Sequence, residues 1–120
     1  MKIQISFEVL DEYLKIHLSG ENPVPEIREI LTTIKKLSED NKRTKVLIDA
    51  MDLPDMPDIE KFKLGKLGVQ MFGSKIKVAM LRKPAHINKF TENTAVNRGG
   101  RLYIVSNEQD ALSWLLNEFT

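Results

Sequence analysis

The sequence predicts an α/β fold: a mixed, mainly parallel five-stranded sheet covered by helices, in the order β-β-α-β-α-β-α-β-α. Two opening stretches alternate apolar and polar residues, Ile3, Ile5, Phe7 and Val9, then Leu14, Ile16 and Leu18, which is the period of half-buried strands. Further on, the short apolar runs Val46–Ile48, Ile76–Leu81 and Leu102–Val105 alternate with segments whose apolar residues recur at helical spacing. Strands that alternate with helices imply parallel pairing through right-handed crossovers.

Each element has its own justification. The join at Asp11-Glu12 is too short for a crossover, so the first two strands form an antiparallel pair. His17 falls on the face opposite Ile16 and Leu18, and no second His, Cys or carboxylate follows it at ligand spacing. Gly20 to Pro25 is a turn, and Pro25 suits a first helical turn. Ile27, Ile30, Leu31, Ile34 and Leu37 give a first helix to about Asp40. Val46 to Ile48 is a strand buried on both faces. In the Asp-Pro-rich loop that follows, Asp55 and Asp58 have capping-box character, and Asp58 alone is an alternative cap.

The second helix is expected from about Ile59 to Phe72, with Ile59, Phe62, Leu67 and Met71 inward. Gly65 and Gly68 lower its propensity by up to about 1 kcal/mol each and suggest close packing against the sheet. Gly73 stops the helix. Pro84 ends the fourth strand. A third helix takes Ile87, Phe90 and Thr94 inward and stops at Asn97-Arg98-Gly99-Gly100. Ser106 or Asn107 caps a last helix that buries Ala111, Leu112, Leu115 and Phe119.

The 120 residues suit one domain, residues 1–120, large enough to fold without a disulfide or metal. The absence of cysteine excludes disulfide frameworks, thiolate zinc sites and a cysteine nucleophile, and fits a reducing compartment. No apolar run approaches the roughly 20 residues that span a bilayer, and MKIQISFEVL lacks the regions of a signal peptide. A soluble, cytoplasmic protein is expected. The net charge of +1 hides an asymmetry: five acidic and no basic residues from Asp49 to Glu60, then eight basic and no acidic from Lys61 to Phe90. Such blocks can mark anionic partners, but solvated helix faces and strand ends are the plainer reading.

Three segments carry a family resemblance: VLIDAMDL (46–53), KIKVAML (75–81) and FTENTAVNRGGRLYIVSNEQDALSWLL (90–116). Together they resemble the STAS/SEC14-type domains, specifically the SpoIIAA-like branch related to anti-sigma-factor antagonists. The last segment is the most specific, a helix ending in Asn-Arg-Gly, a strand, then a capped helix with Ala-Leu-x-Trp-Leu. The resemblance covers essentially the whole chain and implies a single STAS-like domain. It also implies contact with a partner kinase around the third strand and second helix, switched by phosphorylation of a Ser or Thr at the start of that helix. Asp49 to Lys61 contains no hydroxyl residue, so the phosphoswitch does not carry over. A carboxylate has less charge and fewer acceptor oxygens than a phosphate, so the aspartates do not simply replace one. Related SEC14-type domains carry lipids in a cavity.

Among the remaining constellations, Asp49, Asp52, Asp55 and Asp58 lack the spacing, central Gly and terminal Glu of a calcium loop. Strand-end and helix-cap roles suit them better. Met51 and Leu53 are favoured as core, whereas Met56 is divided between core and an adaptable interface. Asn97 to Gly100 is read as a helix cap in preference to an anion nest beside Arg98. His86 has no acid–base partner in the sequence, and no Ser-His-Asp order, Walker loop, dinucleotide fingerprint or HExxH occurs. The basic block lacks the exposed aromatics of a base-stacking module, since Phe62 and Phe90 read as core.

The expectation is therefore a non-catalytic regulatory module, without metal or cofactor, acting by protein–protein contact through Asp52, Asp55, Met56, Lys63 and Lys66. The partner is a protein of unspecified identity, with homodimer formation left open; nucleic acid and membrane spanning are not expected. The alternative is a small-molecule or lipid-binding module, its small apolar ligand held by Met71, Phe72 and Phe90 with Arg98 nearby.

Overall fold

The computed structural model describes residues 1–119. Five strands form one sheet in sequential order, β1 (Gln4–Val9), β2 (Leu14–Ser19), β3 (Lys45–Asp49), β4 (Lys77–Leu81) and β5 (Arg101–Val105). β1 and β2 are antiparallel, with Gln4 opposite Ser19 and Val9 opposite Leu14. The chain reverses between them in a turn closed by the Leu10 N–H on the Tyr13 carbonyl (2.9 Å). β2 to β5 run parallel. The helices are α1 (Ile27–Asp40), α2 (Asp58–Phe72), α3 (Phe90–Asn97) and α4 (Glu108–Leu115). Short 3-10 turns occupy Val24–Glu26 and Pro84–His86. The expected element order and the mixed, mainly parallel sheet are both present.

Consecutive strands are also neighbours, so crossovers of one hand place α1, α2 and α3 on the same face. Leu14, Ile16 and Leu18 of β2, Val46 and Ile48 of β3 and Val78 of β4 point to that face and meet Ile30, Leu31 and Ile34 of α1 and Phe72 of α2. Leu47, Ala79 and Leu81 point the other way, onto Ala111 and Leu115 of α4. Period-two alternation thus builds two cores on one sheet.

Lys77 belongs to the α4 side and is buried. Its Nζ donates to the carbonyls of Trp114 (2.7 Å) and Asn117 (2.8 Å) and lies 4.5 Å from the Trp114 ring centroid. A cation at the end of α4 complements the helix dipole. Burial lowers the Lys77 pKa, helped by Arg101 and Lys45.

Several sequence expectations are corrected. In α2, Ile59 (59% exposed) and Phe62 (36%) face outward, Leu67 and Met71 are only half-buried, and Lys61, Gly65 and Phe72 are buried. The physical reason is α3. A Cβ on Gly65 would sit 2.6 Å from the Thr91 carbonyl oxygen and 2.9 Å from the Thr94 Cβ, so the two helices meet where one has no side chain. The close approach is helix on helix, not helix on sheet, and Gly68 has nothing within 4 Å.

In α3 the buried side is Thr91, Thr94 and Ala95, which leaves Phe90 47% exposed, while Ile87 precedes the helix. Neither Phe62 nor Phe90 is core. Phe119 lies beyond the end of α4 and is exposed. No capping box forms at α2, whose cap position is Pro57 with no side-chain bond. Asn107 does cap α4, accepting from the Asp110 N–H at 3.0 Å. Three members of the basic block, Lys61, Lys77 and Arg82, are buried rather than solvated.

Gly65 and Gly68 give a paired test. Gly65→Ala forces α2 and α3 apart and should lower the unfolding free energy by about 1–3 kcal/mol. Gly68→Ala meets open space and should raise it by about 0.5–1 kcal/mol. Urea denaturation of both variants beside the parent protein measures the difference and its sign.

Candidate functional site

The chain leaves the sheet at Asp49, between β2 and β4. The Ala50 N–H extends the pairing by bonding the Leu81 carbonyl (3.1 Å), and the Leu53 N–H closes a turn on the Ala50 carbonyl (3.2 Å). Beyond that point the loop runs to Pro57 without regular structure or a glycine. Its apolar side chains divide between the layers. Leu53 enters the helix-side core, Met51 packs on the α4 side, and Met56 lies half-buried beside Leu64, Met80 and Arg82.

Arg82, the residue after β4, lies beneath this loop and is 7% exposed. Its Nη1 donates to the carbonyls of Ala50 (2.5 Å) and Leu53 (3.0 Å), and its Nη2 to that of Pro54 (2.7 Å). Nη2 also lies 3.4 Å from His86 Nδ1. Burial lowers the Arg82 pKa and the Asp55 charge opposes that shift; a guanidinium stays protonated regardless.

Lys61 is the second support. Its buried Nζ lies 3.0 Å from Asp55 Oδ1 and donates to the His86 carbonyl at 3.0 Å, joining the loop, α2 and the turn after β4. For Asp55, burial pushes the carboxyl pKa up, but hydrogen bonds from Lys61 and the Met56 N–H outweigh it, so the net shift is downward.

The four aspartates do not converge on one point, although Asp49 and Asp52 share His17. Asp49 accepts from the Met51 N–H (3.1 Å), Asp52 lies 3.1 Å from His17 Nε2, Asp55 pairs with Lys61, and Asp58 accepts from Asn88 (2.8 Å). His17 also lies 3.5 Å from Asp49 through its Nδ1, because the parallel register sets His17 beside Asp49. Among the described residues no group of three or more His, Cys, Asp and Glu side chains is arranged to hold a metal ion.

The outer surface of loop and helix is a ridge. Asp52, Asp55 and Met56 stand on the loop; Ile59, Phe62, Lys63 and Lys66 follow on the outward side of α2. Arg98 reaches over from the end of α3, its guanidinium 5.3 Å from the Phe62 ring centroid, a contact worth roughly 0.5–1 kcal/mol at an exposed site. The ridge runs from acidic through apolar to basic. Of the five residues expected to bind a partner, Asp55, Met56, Lys63 and Lys66 follow one another along the end of the loop and α2, whereas Asp52 turns to His17, whose side chain is on the α4 side of the sheet. Ile59 and Phe62 join them unexpectedly, and Arg82, Lys61 and His17 were missed as supports. A lone arginine closing an apolar strand was the available signal for Arg82.

The residues expected to hold a ligand are not gathered. Met71 and Phe72 border an open groove between the ends of α1 and α2, rimmed by Lys35, Lys42 and Lys75. Phe90 faces solvent elsewhere. Arg98 belongs to a helix cap: Gly99 has φ +88°, and the Arg98, Gly99 and Gly100 N–H groups bond the carbonyls of Ala95, Val96 and Ala95. Those donors are engaged within the chain. The apolar voids between helices and sheet measure about 40 and 50 Å³, against roughly 300–1,000 Å³ for typical small-molecule pockets.

Replacing Arg82 by Met leaves the carbonyls of Leu53 and Pro54 without a donor and takes one of two from that of Ala50, and should cost about 3 kcal/mol in a denaturant titration. The Asp55–Lys61 pair adds a pH dependence. A carboxylate with a depressed folded pKa stabilises the fold above its unfolded value, and the contribution fades as pH falls through the folded value. The stability difference between the parent and Asp55→Asn should therefore be present at about pH 7 and shrink as the pH falls below the ordinary carboxylate value of about 4, in matched unfolding curves.

The fold has solved counterparts. It superposes with a TM-score of 0.65 on an anti-sigma factor antagonist from Mycobacterium paratuberculosis, at 15% identity over 96% of this chain and 95% of that one. An uncharacterized protein with a SpoIIAA-like fold from Shewanella loihica PV-4 gives 0.57, at 20% identity over 94% and 93%. The anti-sigma factor antagonist SpoIIAA in its unphosphorylated form gives 0.57, at 15% identity over 92% and 94%. No protein-family model matches the chain, and no curated protein matches it in sequence. The chain has the STAS-type, SpoIIAA-like fold.

Proposed function

We propose that this chain is a non-catalytic regulatory module that works by protein–protein contact through residues 51–58 and the outward side of α2. The observation that carries this reading is the pair Ile59 and Phe62, apolar and exposed at the start of a helix whose preceding loop is held from beneath by Arg82 and Lys61. A rigid surface loses little conformational entropy on binding, and aromatic anchors ringed by charge are what interface centres consist of. Asp55 precedes the apolar pair and Lys63 and Lys66 follow it, which orients a partner carrying the opposite charges; Asp52, beside His17, is proposed to meet that partner at its margin.

The likeness to anti-sigma factor antagonists supports the regulatory class. The junction from Asp49 to Lys61 has no Ser or Thr, so the contact is proposed to operate without phosphorylation there. None of the helices among the described residues is long and apolar enough to cross a membrane, in keeping with a proposed cytoplasmic site of action. For the ligand-carrier alternative the voids between helices and sheet are about 40 and 50 Å³, and the larger space, about 800 Å³, is the open groove beside Met71 and Phe72, away from Phe90 and Arg98.

Ile59→Asp combined with Phe62→Ser tests the surface. Ile59 is 59% exposed and Phe62 36%, so the double variant should stay folded while losing about 2–3 kcal/mol through the covered part of the Phe62 ring and its Arg98 contact. Its co-purification with the native partner from the host should fall at least about tenfold. Undiminished co-purification by a folded double variant would refute the proposed surface.

A further inference from the structure

The sheet has two edges, and the fold treats them differently. At the β5 edge the Ile104 N–H donates to Glu92 Oε1 of α3 at 2.7 Å, and Lys89 Nζ holds the same carboxylate at 3.1 Å. A side chain therefore occupies a position that another strand would need. At the β1 edge, among the described residues, the one such contact precedes the strand, where Glu26 accepts from the Lys2 and Ile3 N–H groups; no side chain among them bonds the backbone from Gln4 to Val9. Glu8 is the one charged residue of β1, and the strand contains no proline. An open edge with a single charge and no proline is a template for another strand.

β1 also lies outside the cover of the helices. Its residues are exposed except Ile5, which is half-buried. Phe7 (50% exposed) and Val9 (40%) stand opposite Ile16 and Leu14 on the helix side of the sheet, next to a core they do not enter. The apolar stripe Ile5, Phe7, Val9 thus continues past the last helix and ends at the open edge.

We infer that β1 is a self-association edge, on which two copies of the chain pair antiparallel about a two-fold axis at Phe7 and continue one sheet into the next. A two-fold normal to the sheet keeps each face on its own side, so odd residues meet odd and even meet even. With the axis at Phe7, the two Phe7 rings meet, Ile5 of each copy meets Val9 of the other, and Glu8 meets Ser6. All three apolar side chains of the stripe gain apolar partners, and no like charges oppose. An axis at Glu8 would set the two Glu8 carboxylates against each other. An axis at Ser6 would spend Val9 on Ile3, which is already buried. The partner that fits this edge best is another copy of it. One strand pair is a small interface, so the association is weak and concentration-dependent.

The edge lies away from the α2 ridge, so this inference stands or falls separately from the proposed partner surface. Sedimentation velocity over a concentration series reaching the solubility limit should show a monomer–dimer equilibrium. Phe7→Lys, which sets two ammonium groups on the axis, should weaken it by at least about tenfold while the melting temperature holds. Because the chain has no cysteine, Phe7→Cys gives a second readout: mild oxidation should link two copies through that position. Gln4→Cys should not link, because the register holds two Gln4 positions about 20 Å apart. A monomer throughout the series, a dimer indifferent to Phe7→Lys, or equal cross-linking at positions 4 and 7 would each overturn the inference.

Discussion

A buried guanidinium bonded to backbone oxygens and a neighbouring imidazole holds the loop at the carboxyl end of β3 in place. When β3 leaves the sheet after Asp49, the carbonyls of Ala50 and Leu53 turn into the interior and that of Pro54 lies partly buried beside them. Arg82 answers all three with one rigid fork. A lysine has a compact charge and cannot span that arrangement. The cost is desolvation of the cation, visible as its lowered pKa and offset in part by the field of Asp55. The loop therefore owes its shape to a residue far along the chain rather than to turn chemistry of its own.

That arrangement explains how apolar side chains remain on the outside. α2 uses one side against the sheet and another, at Gly65, against α3. What is left over faces solvent and includes Ile59 and Phe62. With the start of the helix fixed by Lys61 and the loop before it fixed by Arg82, these side chains form a defined surface instead of collapsing onto the core. The same economy of cover is seen at β1, where the helices stop short of the last strand and the apolar stripe runs on to the edge.

Most of the architecture was legible in the sequence because strand and helix periods are local signals. Val46–Ile48 could be placed as a strand buried on both faces, and α1 could be bounded near Asp40, from spacing alone. The phase of α2 was not legible. Its apolar residues occur all round the helix, and the deciding contact, Gly65 against Thr91 and Thr94, joins positions 26 and 29 residues apart, separations that helical periodicity cannot read. Phe62 and Phe90 were placed in the core for the same reason. At the site, Asp52, Asp55 and Met56 could be chosen because loops after parallel strands carry function. Arg82, Lys61 and His17 could not, since their roles depend on strand register and on carbonyls that leave no trace in side-chain composition.

Backbone ¹⁵N relaxation of the free protein tests the central claim, that Arg82 and Lys61 hold residues 50–57 rigid before any partner arrives. Order parameters across this loop should approach the value of about 0.85 typical of rigid backbone, level with β3 and β4. Values below about 0.6 would show a flexible loop and contradict the account.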